Sequence, residues 1–244
     1  MFDFSLPPRF ALDTETNGLD WYVHRPFGFS LFAPEVGGKY YDIRRFPRGL
    51  DWLQAQLDRA EIVYMHHAKF DCHMLREVGV RVPIEKIRCT MVRAALIDEH
   101  LLSYSLDDLA EKYLGENKIE MAKEVKANMA EQPISVVAPY AIKDAKLTYD
   151  LAVLQEEELD RQELRQVDAL ETRILEINWL AEKRGIRVDL DYAQTSMPLL
   201  DGEFDKAMDK VRQLAGFDLN INSPVQIRQA FGAEQDDKGK WRTK

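Results

Sequence analysis

Cysteine is scarce: the 244 residues hold only Cys72 and Cys89, too few for a disulfide framework, so a reducing compartment is the default expectation. Long apolar runs are missing as well. No stretch approaches the roughly 18 to 20 residues a membrane helix needs, and Asp3 and Arg9 interrupt the start where a signal peptide would be apolar. Positive charge is in deficit, with 33 Lys and Arg against 42 Asp and Glu and a net charge of -9. That balance argues against a grip on nucleic acid through bulk basic surface. It leaves open an acidic site that meets phosphate through bound cations. There is no internal repeat and no low-complexity tract. The 45% hydrophobic content excludes wholesale disorder, and the length allows one or two domains.

The first half alternates strand and helix patterns. Phe10 to Glu15 reads as a strand closed by Asn17-Gly18. Residues 28–34 and 39–43 read as two more strands joined by a Gly37-Gly38 turn, which predicts an antiparallel meander. A helix through Leu50, Leu53 and Leu57, a strand over 61–65, a helix over 69–78 and a short strand over 87–89 come next. Ser105 to Asp108 carries a capping box, with Gly115 at the far end as C-cap. Residues 115–132 are polar and read as loop or loosely packed helix. Pro133 and Pro139 bracket a helix start near Tyr140. The character changes near residue 156, which predicts domains at 1–156 and 157–244. Leu164, Val167, Leu170, Ile174, Ile177 and Leu180 recur at helical steps up to Gly185 and predict one long amphipathic helix. Residues 186–189 read as extended, and Ser223-Pro224 opens a last helix that ends at Gly232. The charged stretch 236–244 carries no natural element. The pattern predicts an α/β domain followed by a mainly helical C-terminal segment.

Four carboxylates stand out. Asp13 and Glu15 share one face of their strand, with Phe10, Leu12 and Thr14 on the other. Such a pair on a central strand needs cations or protonation, and solvated acids at a strand end are the plain alternative. Asp71 lies one turn into a helix after a strand, the usual place for sites in open α/β sheets. An acid favoured there by the helix dipole is the alternative. His67 and Asp71 have a zinc-like spacing, but no second Cys or His pair supports it. Tyr140 and Asp144 are four apart and share a helix face. Hard divalent ions take oxygen ligands, and two of them can clamp an in-line phosphoryl displacement.

Asp13-Thr14-Glu15-Thr16-Asn17-Gly18-Leu19-Asp20, His67-Ala68-Lys69-Phe70-Asp71 and Tyr140-Ala141-Ile142-Lys143-Asp144 resemble, in order and separation, the three motifs of the DEDD 3'-5' exonucleases, in the tyrosine form. With Ser105 to Gly115 they resemble the proofreading exonuclease domain of family A DNA polymerases of bacteriophage type. Residues 171–189 and 220–226 are similar to the start of that family's polymerase region, and the chain stops before any palm or fingers motif. The resemblance implies a ribonuclease H-like exonuclease fold, a mixed sheet flanked by helices. It implies two divalent cations, Mg2+ or Mn2+, on Asp13, Glu15, Asp71 and Asp144, with Tyr140 orienting a water. Thr16, Leu19, His67 and Phe70 would meet the substrate, with core packing as the alternative for Leu19 and Phe70. Lys69 and Lys143 would help hold phosphate. The partner would be a single-stranded DNA 3' end, together with a polymerase domain or subunit docking on the long helix. No membrane and no nucleotide cofactor is implied. The location would be cytoplasmic, in a bacterial host. Rival readings are a 3'-5' exoribonuclease and a non-catalytic DNA-binding scaffold. The family's second motif usually has asparagine where His67 stands, and a histidine is expected to change charge near neutral pH.

Overall fold

The computed structural model describes residues 4–117, 119–235 and 239–243. Its contacts divide the chain into two units, 1–185 and 186–244.

The first unit is organised by strand β1, Arg9–Thr16. Phe10, Ala11 and Leu12 are all fully buried, so both faces of this strand are covered, as befits the middle of a sheet. β2 (Pro26–Ala33) and β3 (Gly37–Asp42) pair antiparallel beside it. β4 (Ile62–Met65) and β5 (Ile87–Cys89) extend the other side in parallel. The order β3-β2-β1-β4-β5 makes a mixed sheet, and the predicted meander forms its antiparallel half. The turn between β2 and β3 lies at residues 34–36 rather than at the glycine pair. Gly37 and Gly38 are instead strand residues. A Cβ on Gly38 would sit 2.1 Å from Ile142 Cγ2, so glycine is there for the close approach of a helix.

Between the strands run α1 (Gly49–Arg59) and α2 (Ala68–Glu77). They cover the face that carries Phe10 and Leu12, and Leu53, Leu57, Ala68, Cys72 and Leu75 complete that core. Both cysteines are buried there as free thiols. α3 (Thr90–Ile97) and α4 (Leu106–Leu114) come after β5. In α4 the predicted cap is present: Ser105 Oγ accepts from the Asp108 N–H at 3.2 Å, and Gly115 takes a left-handed φ of 65°. Residues 115–132 hold only the short α5 (Lys123–Ala127) and a 3-10 turn at Met129–Glu131 among the described positions.

α6 (Ile134–Arg161) crosses the opposite sheet face. Its start differs from the sequence expectation. Pro133 is the N-cap, and Pro139 lies inside the helix. Pro139 and Ser135 are both exposed, so water can satisfy the carbonyl that the missing N–H leaves free. Small residues set the approach: Ala141 and Ala145 are fully buried, and Ser30 Oγ donates to the Ala141 carbonyl at 2.8 Å.

α7 (Arg165–Arg184) is the predicted long helix and ends at Gly185. It packs on α2 and α3, which carries the compact unit past the change of pattern near residue 156. The face it buries is not the predicted one. Val167, Leu170, Ile177 and Leu180 are exposed, whereas Leu175 joins the core and Trp179 packs against it. The buried stripe was hidden because it also carries Asp168, which is held by a buried cation. Arg93 of α3, 2% exposed, donates to both oxygens of Asp168 at 2.9 and 2.7 Å and to Glu156 at 2.7 Å.

The second unit contains α8 (Leu190–Ala215), α9 (Pro224–Ala230) and a hairpin of β6 (Ala233–Gln235) with β7 (Trp241–Thr243). Two departures from the sequence expectation occur here. Pro198 and Gly202 interrupt the α8 pattern, which left it without a predicted element. Part of the charged 236–244 stretch pairs as a strand. Ser223 caps α9 by accepting from the Gln226 N–H. Among the described residues no helix is long and apolar enough to cross a membrane.

Candidate active site

Strand register builds the site. Asp13 pairs with Ser30, and Ser30 with Tyr40; Glu15 pairs with Gly28, and Gly28 with Asp42. Cross-strand partners share a face, so both carboxylates stand on the face that α6 crosses. The Ser30–Ala141 bond and the Gly38–Ile142 contact seat α6 there, and one helical turn spans Tyr140 and Asp144. Tyr140 is half-buried, and its phenol is pushed well above the usual range. Burial is the largest cause, followed by the charges of Asp144, Glu15, Asp13 and Asp107. Four carboxylates therefore act on one phenol, which stays protonated at neutral pH.

Asp71 comes from a different element, the first turn of α2, and is 2% exposed. Thr14 Oγ1 donates to its Oδ1 at 2.5 Å. Burial pushes its pKa up to about 7, and the Thr14 hydrogen bond opposes the rise. Among the described residues no three His, Cys, Asp or Glu side chains are gathered as a ready metal-ligand set. The donor chemistry nonetheless fits hard cations: all four groups offer carboxylate oxygen, and a buried carboxyl that ionises only near pH 7 lacks the positive charge that would hold it ionised.

His67 is the N-cap of α2 in a left-handed conformation, φ 56° and ψ 42°. Asparagine and histidine are among the few residues that tolerate that region, which gives a backbone reason for either at this place. Burial and then Lys69 lower the His67 pKa. Glu182 opposes that shift, and on balance the neutral ring is favoured relative to a free imidazole. Its ring stacks with Phe70 at 5.9 Å and 3°. Leu19 is 81% exposed, on the loop after β1. Thr16 Oγ1 is engaged, donating to the Gly18 carbonyl at 2.9 Å. Lys69 and Lys143 are both ion-paired, to Glu182 and Glu116 respectively.

Two neighbours of the site were not singled out from sequence. Tyr40 Oη lies over Gly28, 2.2 Å from where a Cβ would be, and burial, then the charges of Asp42 and Glu15, raise its pKa. The alternation Tyr40, Asp42 was a usable signal once the register was known. In the sequence Asp107 reads only as part of the α4 cap. It also lines an open cleft of about 760 Å³ with Glu111, Met121 and Lys126. The Lys126 ammonium sits 5.5 Å over the Tyr140 ring, so the cleft opens beside Tyr140.

A family model for 3'-5' exonucleases matches residues 5–160. A DNA polymerase DpoZ of Acinetobacter phage SH-Ab 15497 is 36% identical over 252 residues, covering 96% of this chain and 40% of that protein. The chain spans about two fifths of the length of the phage relatives it matches. Among solved structures, the POL domain of Pol1 from M. smegmatis superposes with TM-score 0.72 at 21% identity, over 98% of this chain and 41% of that one. Brucella melitensis NrnC with bound Mg2+ superposes with TM-score 0.62 at 20% identity, over 75% of this chain and 89% of that one. At these identities the structural matches establish the ribonuclease H-like fold.

Proposed function

The chain belongs to the 3'-5' exonuclease family of family A DNA polymerases, and on that premise we propose that it removes nucleotides from the 3' end of single-stranded DNA, releasing nucleoside 5'-monophosphates in support of a polymerase. The observation that carries this reading is the convergence of Asp13, Glu15 and Asp144 on Tyr140. DNA rather than RNA is supported by the curated relatives, which are DNA polymerases. Residues 1–156 would supply the chemistry. Residues 157–244 would lead into the polymerase part, acting in the cytoplasm of a bacterial host.

Asp13, Glu15, Asp71 and Asp144 would hold two divalent cations, Mg2+ or Mn2+. Such ions, when bound, neutralise the charge that builds on the phosphate and the leaving 3' oxygen. Tyr140 keeps its proton at working pH, so its Oη orients the attacking water by hydrogen bonding and does not serve as a base. Asp71 is buried and bonded to Thr14, so its carboxylate has a fixed direction. Leu19, free of packing, and Phe70, backed by His67, would wedge and stack against the terminal bases.

The test is a 5'-labelled single-stranded oligonucleotide incubated with either metal, with chelator, and with Asp13→Ala and Tyr140→Phe. The expected result is a ladder shortening from the 3' end, abolished by chelator and by Asp13→Ala. Tyr140→Phe should slow it about 10- to 100-fold at unchanged metal requirement. Full activity of Asp13→Ala would refute the metal assignment. A 3'-terminal ribonucleotide cleaved faster than its deoxy counterpart would move the substrate to RNA.

A further inference from the structure

α2 is gripped from two sides. On one side Thr14 of β1 bonds Asp71. On the other, Lys69 and His73, four apart and therefore on one helix face, both reach Glu182 of α7. Lys69 Nζ donates to Oε1 at 2.6 Å and His73 Nε2 meets Oε2 at 3.0 Å. Asp71 lies two positions from each, about 200° round the helix. A turn of α2 about its axis that loosens one grip must therefore disturb the other.

Glu182 also holds the loop that carries Leu19. Tyr22 Oη donates to the Glu182 carbonyl at 3.0 Å. The neighbouring Trp21 ring stacks on His73 at 4.2 Å and 4°, and His73 is fully buried. Arg25 at the loop's end is 3.5 Å from Glu77 of α2. One residue of α7 thus joins the loop after β1 to the helix that carries Phe70 and Asp71. It lies outside residues 5–160, the span of the family match.

We infer that Glu182 is a positioning residue of the exonuclease site, which sets the rotation of α2 and its spacing from the Leu19 loop; this rests on the function proposed above. Its carboxylate occupies Lys69 as well, so that ammonium is a tether and not a phosphate contact. The chain's own α7 is then a working part of the nuclease rather than only a connector toward the C-terminal unit.

The inference separates binding from chemistry. Steady-state cleavage of a 5'-labelled single-stranded oligonucleotide should be compared for the wild type, Glu182→Ala, Glu182→Gln and Tyr22→Phe, with the melting temperature of each. Glu182→Ala should raise KM and the half-saturating Mg2+ concentration roughly three- to tenfold, with kcat at saturation nearly kept. Glu182→Gln, which keeps an acceptor, should recover part of both. Tyr22→Phe removes a hydroxyl from a largely exposed ring and leaves the fold intact; it should raise KM alone. If Glu182→Ala melts below the assay temperature, Glu182→Gln decides for the carboxylate, because Tyr22 meets only the Glu182 backbone carbonyl. Unchanged KM in the folded variants, with an active wild type, overturns the inference. A wild type that cleaves nothing with either metal overturns the exonuclease reading itself.

Discussion

The Thr14 hydroxyl and the Asp71 carboxylate form a 2.5 Å hydrogen bond across 57 positions of sequence. It ties the strand that carries Asp13 and Glu15 to the helix that carries the fourth carboxylate. Thr14→Val keeps the branched shape and removes the donor. The buried Asp71 would then lose a contact that favours its charged form. We expect the Mg2+ concentration for half-maximal cleavage to rise about tenfold at pH 7, with a smaller shift at pH 9. A metal titration unchanged at both pH values would remove Thr14 from the site.

Asp71 also predicts a pH dependence of stability. Unfolded, it loses its proton near 3.8; folded and metal-free, near 7. Between these values the folded state holds the extra proton, so stability falls as pH rises from about 4 to about 7 and levels off above. At ~1.4 kcal/mol per pH step the cost is on the order of 4 kcal/mol. Asp71→Asn should abolish cleavage yet melt higher than wild type in EDTA at pH 8, with the gap closing toward pH 4. Parallel melting curves across that range would refute the burial argument.

The glycine under α6 predicts a specific clash. Gly38→Ala would place its Cβ 2.1 Å from Ile142 Cγ2, and a branched side chain on a packed helix cannot swing aside. Overpacking of this kind costs about 1 to 3 kcal/mol, and here it would also lift Tyr140 and Asp144 off β1. Ile142→Ala in the same chain should restore part of the activity. Two losses that simply add in the double variant would show that the residues do not meet.

Arg93 anchors α3 to α7 through Asp168 and to α6 through Glu156. Its guanidinium serves Asp168 and Glu156 together, and Arg93→Ala would strand Asp168 in a buried position. Removing one partner of such a pair costs about 3 to 5 kcal/mol. Urea unfolding should show a loss of that size, and a loss below about 1 kcal/mol would mean the pair behaves as a surface one.

The sheet, the first strand's two faces and the order of carboxylates were legible because they rest on alternation and short motifs. Asp13 and Glu15 point opposite to Phe10 and Leu12 for the same reason in the sequence and in the fold. The orientation of α7 was not legible. Its apolar stripe predicts one buried face, but Asp168 and Glu182 are drawn inward by Arg93, Lys69 and His73, and ion pairs outweigh the stripe. Nor could spacing reveal that Gly38 serves a helix packing from far along the chain. The His67 backbone state was equally hidden, since a left-handed N-cap leaves no periodic trace.

The seating of α6 has a consequence in time. Asp13 and Asp144 stand on the same side of the sheet, one on β1 and one on α6, yet 130 residues lie between them in sequence. A protein made from its N-terminus first completes β1 long before α6 exists. Until α6 has left the ribosome and docked over Ser30 and Gly38, Asp13 and Glu15 have neither Asp144 nor Tyr140 above them. Any chemistry that needs these groups together must therefore wait until residues 134–161 have been made and folded onto the sheet.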